Sequence, residues 1–202
     1  MKHAVGTRER IIEVAKQRFH SRSYADVGIK EICDAAEIQK GSFYHFFPSK
    51  RDLALTVIEA FAADWASGFI AEAFDPALPP MERFDYLVDA AYFWQKASQS
   101  KDADGRMPGC LFGNLALEVS TKDEVLRARL SAFFRLARDR FREALEEAVE
   151  RGDVAPLDTT STAEAMLAYL EGMILLAKTQ NDPELIHRLG PALRSLRIER
   201  QQ

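Results

Sequence analysis

Side chains that carry positive charge or donate hydrogen bonds are concentrated near the start of the chain, in residues 30–50. A glycine lies among them, and a glycine lets another backbone approach closely. Such side chains, carried on a short helix, can contact the phosphates and base edges of a duplex in the major groove. The candidate DNA-contacting residues are Lys30, Lys40, Gly41, Ser42, Tyr44, His45 and Lys50.

Cys110 is the second candidate for chemistry. It lies at the predicted start of a helix, where the helix dipole lowers the pKa of a thiol and favours the reactive thiolate. We therefore expect Cys110 to sense an electrophile or oxidant, and the alternative is a small buried hydrophobic side chain. Cys33, the other cysteine, lies among the DNA-contacting residues and is expected to be structural.

The sequence contains no motif typical of an enzyme. It has no HExxH, no CxxC, no Walker loop and no nucleophile elbow, and its four histidines are scattered without ligand spacing. We therefore predict no catalysis, no metal and no cofactor. A helical enzyme, or a helical small-molecule-binding protein that does not bind DNA, remains the alternative.

The elements that must position these residues are helices. Apolar residues recur with a period near 3.6 almost throughout, which predicts an all-α protein of about nine helices. Pro48 ends the third short helix, and Ser49 with Asp52 caps the next. Three short helices before Pro48 suggest a helix-turn-helix DNA-binding domain at 1–48. Residues 49–202 form a second predicted domain, and a helix over about 49–74 links the two. The other predicted helices cover about 8–21, 29–36, 40–47, 81–98, 110–119, 121–151, 159–178 and 183–200.

Charge is distributed unevenly along the chain. Residues 1–51 hold 10 Lys and Arg against 6 Asp and Glu, whereas the rest holds 17 against 25. This asymmetry favours a polyanionic partner at the N-terminal end only. The first residues have no signal-peptide pattern, and no apolar run approaches the ~20 residues that span a bilayer. We therefore expect a cytoplasmic protein with reduced thiols and no membrane partner.

Residues 24–51 closely resemble the signature of TetR-family regulators, most specifically in Lys40-Gly-Ser-Phe-Tyr-His-Phe-Phe-Pro-Ser-Lys50. The resemblance implies a homodimeric repressor that binds a palindromic operator in double-stranded DNA and leaves it when an effector binds. It also implies that residues 49–202 are the ligand-binding and dimerisation domain. A TetR-like activator is the alternative. Two positions depart from the family pattern. Family members often have Ser or Thr where this chain has Gly28, and they often have Gly where this chain has Glu37. Glu37 adds negative charge near the DNA and needs a left-handed backbone.

The segment from Pro108 to Ser120 resembles a Gly-Cys-Leu-x-x-Asn-Leu-x-x-Glu stretch of the NemR/AcuR-type branch of that family. The branch senses electrophiles and acrylate-like compounds, which implies an effector of this kind. Lys178 matches a lysine of the same branch and adds positive charge if it lies close to Cys110. Aromatic, methionine and polar residues in the second part of the chain are candidates for an apolar pocket. The candidate ligand-binding or sensing residues are Cys110, Asn114, Phe93, Trp94, Phe112, Tyr169, Met173 and Lys178.

Apolar stripes run along the last two predicted helices, over residues 163–177 and 185–196. A four-helix seam between two copies would bury both stripes. The alternative is that they belong to the core of a single chain. We favour dimerisation through these helices, because one short recognition helix binds DNA weakly and paired half-sites lie about 34–36 Å apart.

Overall fold

The computed structural model describes residues 6–102 and 104–200, and its regular secondary structure over these ranges is entirely helical. The predicted all-α class is therefore confirmed. Ten helices are assigned in the described residues. They are α1 Thr7–Ser21, α2 Ile29–Ala35, α3 Lys40–Phe46, α4 Lys50–Ser67, α5 Phe69–Ala73, α6 Glu82–Gln99, α7 Leu111–Val119, α8 Glu124–Glu150, α9 Thr159–Gln180 and α10 Glu184–Leu193.

The helices divide between two compact units. The first unit contains the described residues up to Ala63 together with Leu111–Ser131, and the second contains Asp64–Cys110 together with the described residues from Ala132 onward. These compact units do not test the functional boundary that we predict after residue 48, so that boundary stays a prediction.

The predicted helix over 49–74 is interrupted at Gly68, and the helix count is one higher than we expected for this reason. Gly68 has φ −108° and ψ −92°, outside the helical region, and it separates α4 from α5. By length and composition alone, residues 50–73 could cross a membrane, contrary to our expectation that no apolar run is long enough. One such stretch is weak evidence, and Leu53, Val57 and Ile58 on it are buried within the protein.

Helix ends follow the sequence in part. Ser49 Oγ donates to Asp52 Oδ2 at 2.6 Å and accepts from the Asp52 N–H at 3.2 Å, which confirms the predicted capping pair. The residue types also predict caps at Thr7 and Thr121, and these two predictions are wrong. Gly6 precedes α1, and Asp123 caps α8 by accepting from the N–H groups of the second and third residues that follow it.

The first unit is organised by large buried side chains from several helices. Helices α1, α2 and α3 pack together, and α4, α7 and the start of α8 supply the rest of the apolar interior. The side chains that are almost fully buried include Ile11, Ala15, Phe19, Ile32, Phe43, Leu53 and Ile58.

The second unit has a core made of helices from distant parts of the chain. Phe74, Phe84 and Phe141 pack ring against ring, with centroids 5.5 to 5.7 Å apart. Most of the stripe residues that we assigned to a dimer seam are buried in this core within one chain. They include Ala163, Met166, Leu170, Met173, Ile174, Ala177, Leu185, Ile186 and Leu193.

The last helix is shorter than expected, because it ends at Leu193 and not near residue 200. The residues that follow run back along the start of α9. Ile198 O accepts from the Asp158 N–H at 2.9 Å, and Ile198 N–H donates to Thr162 Oγ1 at 3.0 Å. These bonds satisfy backbone groups that further helix would otherwise have paired.

Candidate functional site

The frame of the N-terminal site is the packing of α3 on its neighbours. The residue pattern predicts that Phe43 and Phe46 face inward, but Phe43 and Phe47 are buried beneath α3 and Phe46 is only partly buried. The pattern also predicts that Ala35 faces inward on α2, but Ala35 is exposed and Cys33 is buried there. A helix seven residues long presents its remaining side chains outward because two large rings fix its inner face.

The turn between α2 and α3 contains a left-handed residue. Glu37 has φ +54°, as its departure from the family pattern predicts. Its N–H donates to Asp34 O at 3.2 Å, and the next N–H, of Ile38, donates to Cys33 O at 3.0 Å. A left-handed conformation is costly for a side chain other than glycine. These bonds hold the turn, and thereby the direction in which α3 leaves it.

The outer face of α3 carries five of the predicted DNA-contacting residues together. They are Lys40, Gly41, Ser42, Tyr44 and His45, and all five are exposed. A Cβ built at Gly41 would have no neighbour within 4 Å, so no side chain covers the helix backbone at that point. The Lys40 ammonium lies 5.9 Å from the centre of the Tyr44 ring, which is 46% exposed. The arrangement combines cationic and hydrogen-bonding groups on one narrow surface, as a nucleic-acid contact requires.

The two other predicted DNA-contacting lysines are placed differently. Lys30 is exposed on α2, and its ammonium lies 3.0 Å from Asp34 Oδ2. Lys50 donates to the carbonyls of Tyr24 and Ala25 and lies 4.4 Å from the centre of the Tyr24 ring. Burial lowers the pKa of Lys50, and the charge of Glu118 opposes that shift. A phosphate contact by Lys50 would have to compete with these carbonyls.

Glu118, on α7, has a role that sequence reasoning missed. Its carboxylate accepts from Ser23 Oγ at 2.7 Å, from the Tyr24 N–H at 3.1 Å and from the Ala25 N–H at 3.0 Å. These donors belong to the turn formed by Ser23–Asp26, called here the 23–26 turn, which precedes α2. Glu118 stands in the motif around Cys110, but no sequence pattern pairs it with a turn more than ninety residues away.

Cys110 immediately precedes α7 and is half-buried. Its thiol is hydrogen-bonded to the carboxyl group of Glu171 on α9. Burial raises the pKa of Glu171, and the hydrogen bond from Cys110 works in the opposite direction. The sequence pattern alone shows Glu171 only as an interruption in an apolar stretch, because its partner Cys110 lies far away in the chain.

The loop that leads to Cys110 is fixed by two side-chain amides. Gln95, which is 2% exposed, accepts from the Gly109 N–H at 3.2 Å. Asn181, the left-handed residue that ends α9, accepts from the Met107 N–H at 2.8 Å and donates to Gly105 O at 3.0 Å. Gly109 itself has φ +79°, a conformation that glycine adopts without strain. The position of the thiol is therefore set by the second unit.

The other predicted ligand-binding residues are spread over several environments. Met173 is buried in the core of the second unit, and Cys110 and Tyr169 pack against that core. The Tyr169 hydroxyl donates to Leu189 O at 2.9 Å, and Lys178 is half-buried nearer the end of α9. Phe93 is 63% exposed and Trp94 39% exposed on α6, whereas Phe112 and Asn114 lie on α7 in the first unit, Phe112 buried and Asn114 half-buried. Their shared role in a pocket stays a prediction.

Comparison with family models matches most of the chain. Residues 11–57 match the model described as bacterial regulatory proteins, tetR family. Residues 80–193 match the model described as tetracyclin repressor-like, C-terminal domain. The first match covers α2 and α3 with the turn between them, and the second begins before α6 and ends with α10.

Three similar proteins match nearly the whole chain. The transcriptional regulator AcuR of Cereibacter sphaeroides is 32% identical, over 88% of this chain and 78% of its own. The HTH-type transcriptional repressor DhaR of Mycobacterium sp. (strain GP1) is 30% identical, over 88% of this chain and 85% of its own. The crystal structure of a regulatory protein TetR from Rhodobacter sphaeroides superposes with a TM-score of 0.84 and 29% identity, over 95% of this chain and 99% of the other. These matches confirm the resemblance to the family and to its AcuR-type branch.

Proposed function

The chain belongs to the TetR family of bacterial regulatory proteins, and from that premise we propose that it is a repressor whose α3 binds a palindromic operator. Like its relatives, it is a DNA-binding transcriptional regulator and not an enzyme. The observation that carries the proposal is the exposed face of α3, with Lys40, Gly41, Ser42, Tyr44 and His45. Lys30 and Lys50 complete the proposed contact set. We assign DNA binding to residues 1–48, effector binding and dimerisation to 49–202, and the site of action to the cytoplasm.

Regulators of this family function as dimers, and the proposed interface here is on α9 and α10. Along the outer side of α9, Ala168, Gly172, Leu175 and Leu176 form what we call the α9 strip. Leu175 and Leu176 are each 49% exposed, and a Cβ built at Gly172 would have no neighbour within 4 Å. Small residues flanked by leucines allow two helices to approach closely. A second copy on this strip would bury the exposed leucines.

Operator binding is tested by selecting duplexes from a random DNA library with the purified protein. We expect a sequence with two-fold symmetry and half-sites about 34–36 Å apart. Tyr44→Phe removes one exposed hydroxyl from α3 and should weaken binding to the selected operator by about threefold to tenfold, since a hydrogen bond contributes about 0.5–1.5 kcal/mol. Tyr86→Phe, at a tyrosine that is 51% exposed on α6, is the matched control and should leave binding unchanged. Enrichment of no duplex would overturn the proposed function.

We further propose that an effector, or modification of Cys110, releases the operator. The support is the position of the thiol, half-buried against Glu171 at the residue before α7. The proposed effector is a small electrophile or an acrylate-like acid, and the ligand-binding residues named above are its proposed contacts. A ligand that favours another spacing of the two recognition helices weakens operator binding by shifting the population.

Cys110→Ser tests the thiol. Operator binding should persist in this variant, but N-ethylmaleimide and hypochlorite should no longer release the DNA. Cys33→Ser is the matched control, because Cys33 is 2% exposed and should not react in the folded protein. Release of the DNA from Cys110→Ser at the wild-type reagent concentration would exclude Cys110 as the sensor.

A further inference from the structure

We propose that Glu118 is a positioning residue that couples α7 to the DNA-binding helices through the 23–26 turn. This inference rests on the proposed function, because it takes α3 to be the helix that binds the operator. It assigns the contact through which a displacement of α7 changes the orientation of α2 and α3.

The first observation is that both carboxylate oxygens of Glu118 accept hydrogen bonds from the turn. One of its oxygens accepts from the Tyr24 N–H, and the other accepts from both the Ala25 N–H and the Ser23 hydroxyl. Hydrogen bonds to an ionised carboxylate are roughly twice as strong as those between neutral groups. Only Val27 and Gly28 separate this turn from α2, so a shift of the turn must move the start of α2.

The second observation is that the same two residues, Tyr24 and Ala25, are also bonded to α4. The carbonyls of Tyr24 and Ala25 accept from the Lys50 ammonium at the start of α4. The N–H groups are thus bonded to α7 and the carbonyl groups to α4. Because the turn is hydrogen-bonded to both α7 and α4, it cannot move with one helix without straining its bonds to the other. It therefore responds to a relative movement of α7 and α4.

The third observation is the place of Glu118 on its helix. It is the penultimate residue of α7, and Cys110 immediately precedes the first residue. At about 1.5 Å per residue, the nine-residue helix is about 13 Å long and behaves as a short rigid rod. A change of packing that moves the Cys110 end of α7 therefore also moves the Glu118 end.

The experiment measures coupling without needing an effector. Binding at one site must alter the other by the same factor, so operator DNA should itself change the stability of α7. Amide hydrogen exchange of α7 is followed in the wild type with and without the selected operator. We expect the operator to slow exchange in α7 by about fivefold or more, the lower limit of a typical coupling. In Glu118→Gln, which keeps the size of the side chain but points an amide NH₂ at a backbone donor, the slowing should fall below about twofold.

Two further variants separate coupling from general damage. Glu124→Gln removes the same charge from an exposed glutamate that is bonded only to Arg127 on its own helix among the contacts described, and it should behave as the wild type does. Ser23→Ala removes one of the three donors and should give an intermediate slowing. The double variant Ser23→Ala, Glu118→Gln should lose no more than Glu118→Gln alone, because both changes act on one contact.

The outcomes are distinguishable. If Glu118→Gln still binds the operator and α7 is still slowed as in the wild type, the inference is wrong. It is equally wrong if the operator leaves α7 exchange unchanged in the wild type. If the wild type selects no duplex at all, the proposed function fails first, and that failure is visible before any exchange is measured.

Discussion

At the scale of single residues, the ion pair between Arg83 and Glu147 shows how a buried charge is accommodated. Arg83 is 5% exposed, and its guanidinium donates to both oxygens of Glu147, at 2.7 and 3.1 Å, and to Leu78 O at 3.1 Å. A buried cation that loses its partner keeps its desolvation cost. The pair therefore matters more for the unfolding free energy than ion pairs exposed on the surface do.

Glu147→Gln should lower the unfolding free energy by about 1–3 kcal/mol, the cost of an unsatisfied buried group. Hydrogen bonds from Arg83 lower the pKa of Glu147 below its ordinary 4.5. The contribution of this carboxylate is thus fully present above pH 4.5 and is lost as the pH falls through the lower folded pKa. Urea unfolding at several pH values should show the wild type and the variant converging in acid. Glu143→Gln, an exposed partner of Arg140, is the control and should change stability by less than about 0.5 kcal/mol.

The sequence predicts residues whose role is local and misses those whose partner is distant. The left-handed Glu37, the Ser49 cap and the outward face of α3 follow from neighbours within a few positions. Glu118 and Glu171 do not, because their partners are brought close only by the tertiary fold. A carboxylate bound to three donors and one in an apolar core look alike in the sequence, since both are glutamates on amphipathic helices.

At the scale of elements, the two faces of α9 differ in burial. Its inner side packs into the second unit, which is why the apolar stripe predicted from the sequence is mostly intramolecular. Periodicity indicates that a face is buried, but it does not indicate whether the partner is the same chain or another copy. The break at Gly68 escaped prediction for a related reason, because apolar residues continue on both sides of it and glycine within a helix is often tolerated.

Leu176→Glu should convert the dimer to a monomer, because it places a charge in the α9 strip where an apolar contact is proposed. Light scattering after size-exclusion chromatography measures the mass directly. Leu117→Glu makes the same change at a leucine that is 78% exposed on α7, and this control should remain dimeric. A dimer of Leu176→Glu with wild-type affinity would place the interface elsewhere.

At the scale of the whole molecule, the distribution of charge determines how the protein approaches DNA. The first 51 residues carry an excess of four positive charges, although the chain as a whole has a net charge of −4. A negatively charged duplex should therefore be attracted to the N-terminal part of the chain and repelled by the rest, which favours the proposed contact with α3.

Operator affinity should fall steeply with salt for the same reason. Between 50 and 200 mM salt we expect a loss of about 10³-fold or more if the dimer neutralises about six or more phosphates. Fluorescence anisotropy with a labelled operator gives the slope of log Kd against log salt concentration. A flat slope over this range is incompatible with the proposed binding mode.

Because the two thiols are unequally buried, a thiol-reactive dye should label the native protein mainly at one site. Cys33 is 2% exposed, and burial raises the pKa of its thiol, so it reacts slowly with a maleimide dye. Cys110 is the more accessible of the pair. A maleimide dye therefore marks the start of α7 in the folded wild type without any mutagenesis, and its rate of attachment with and without the selected operator reports how accessible that end of the helix is.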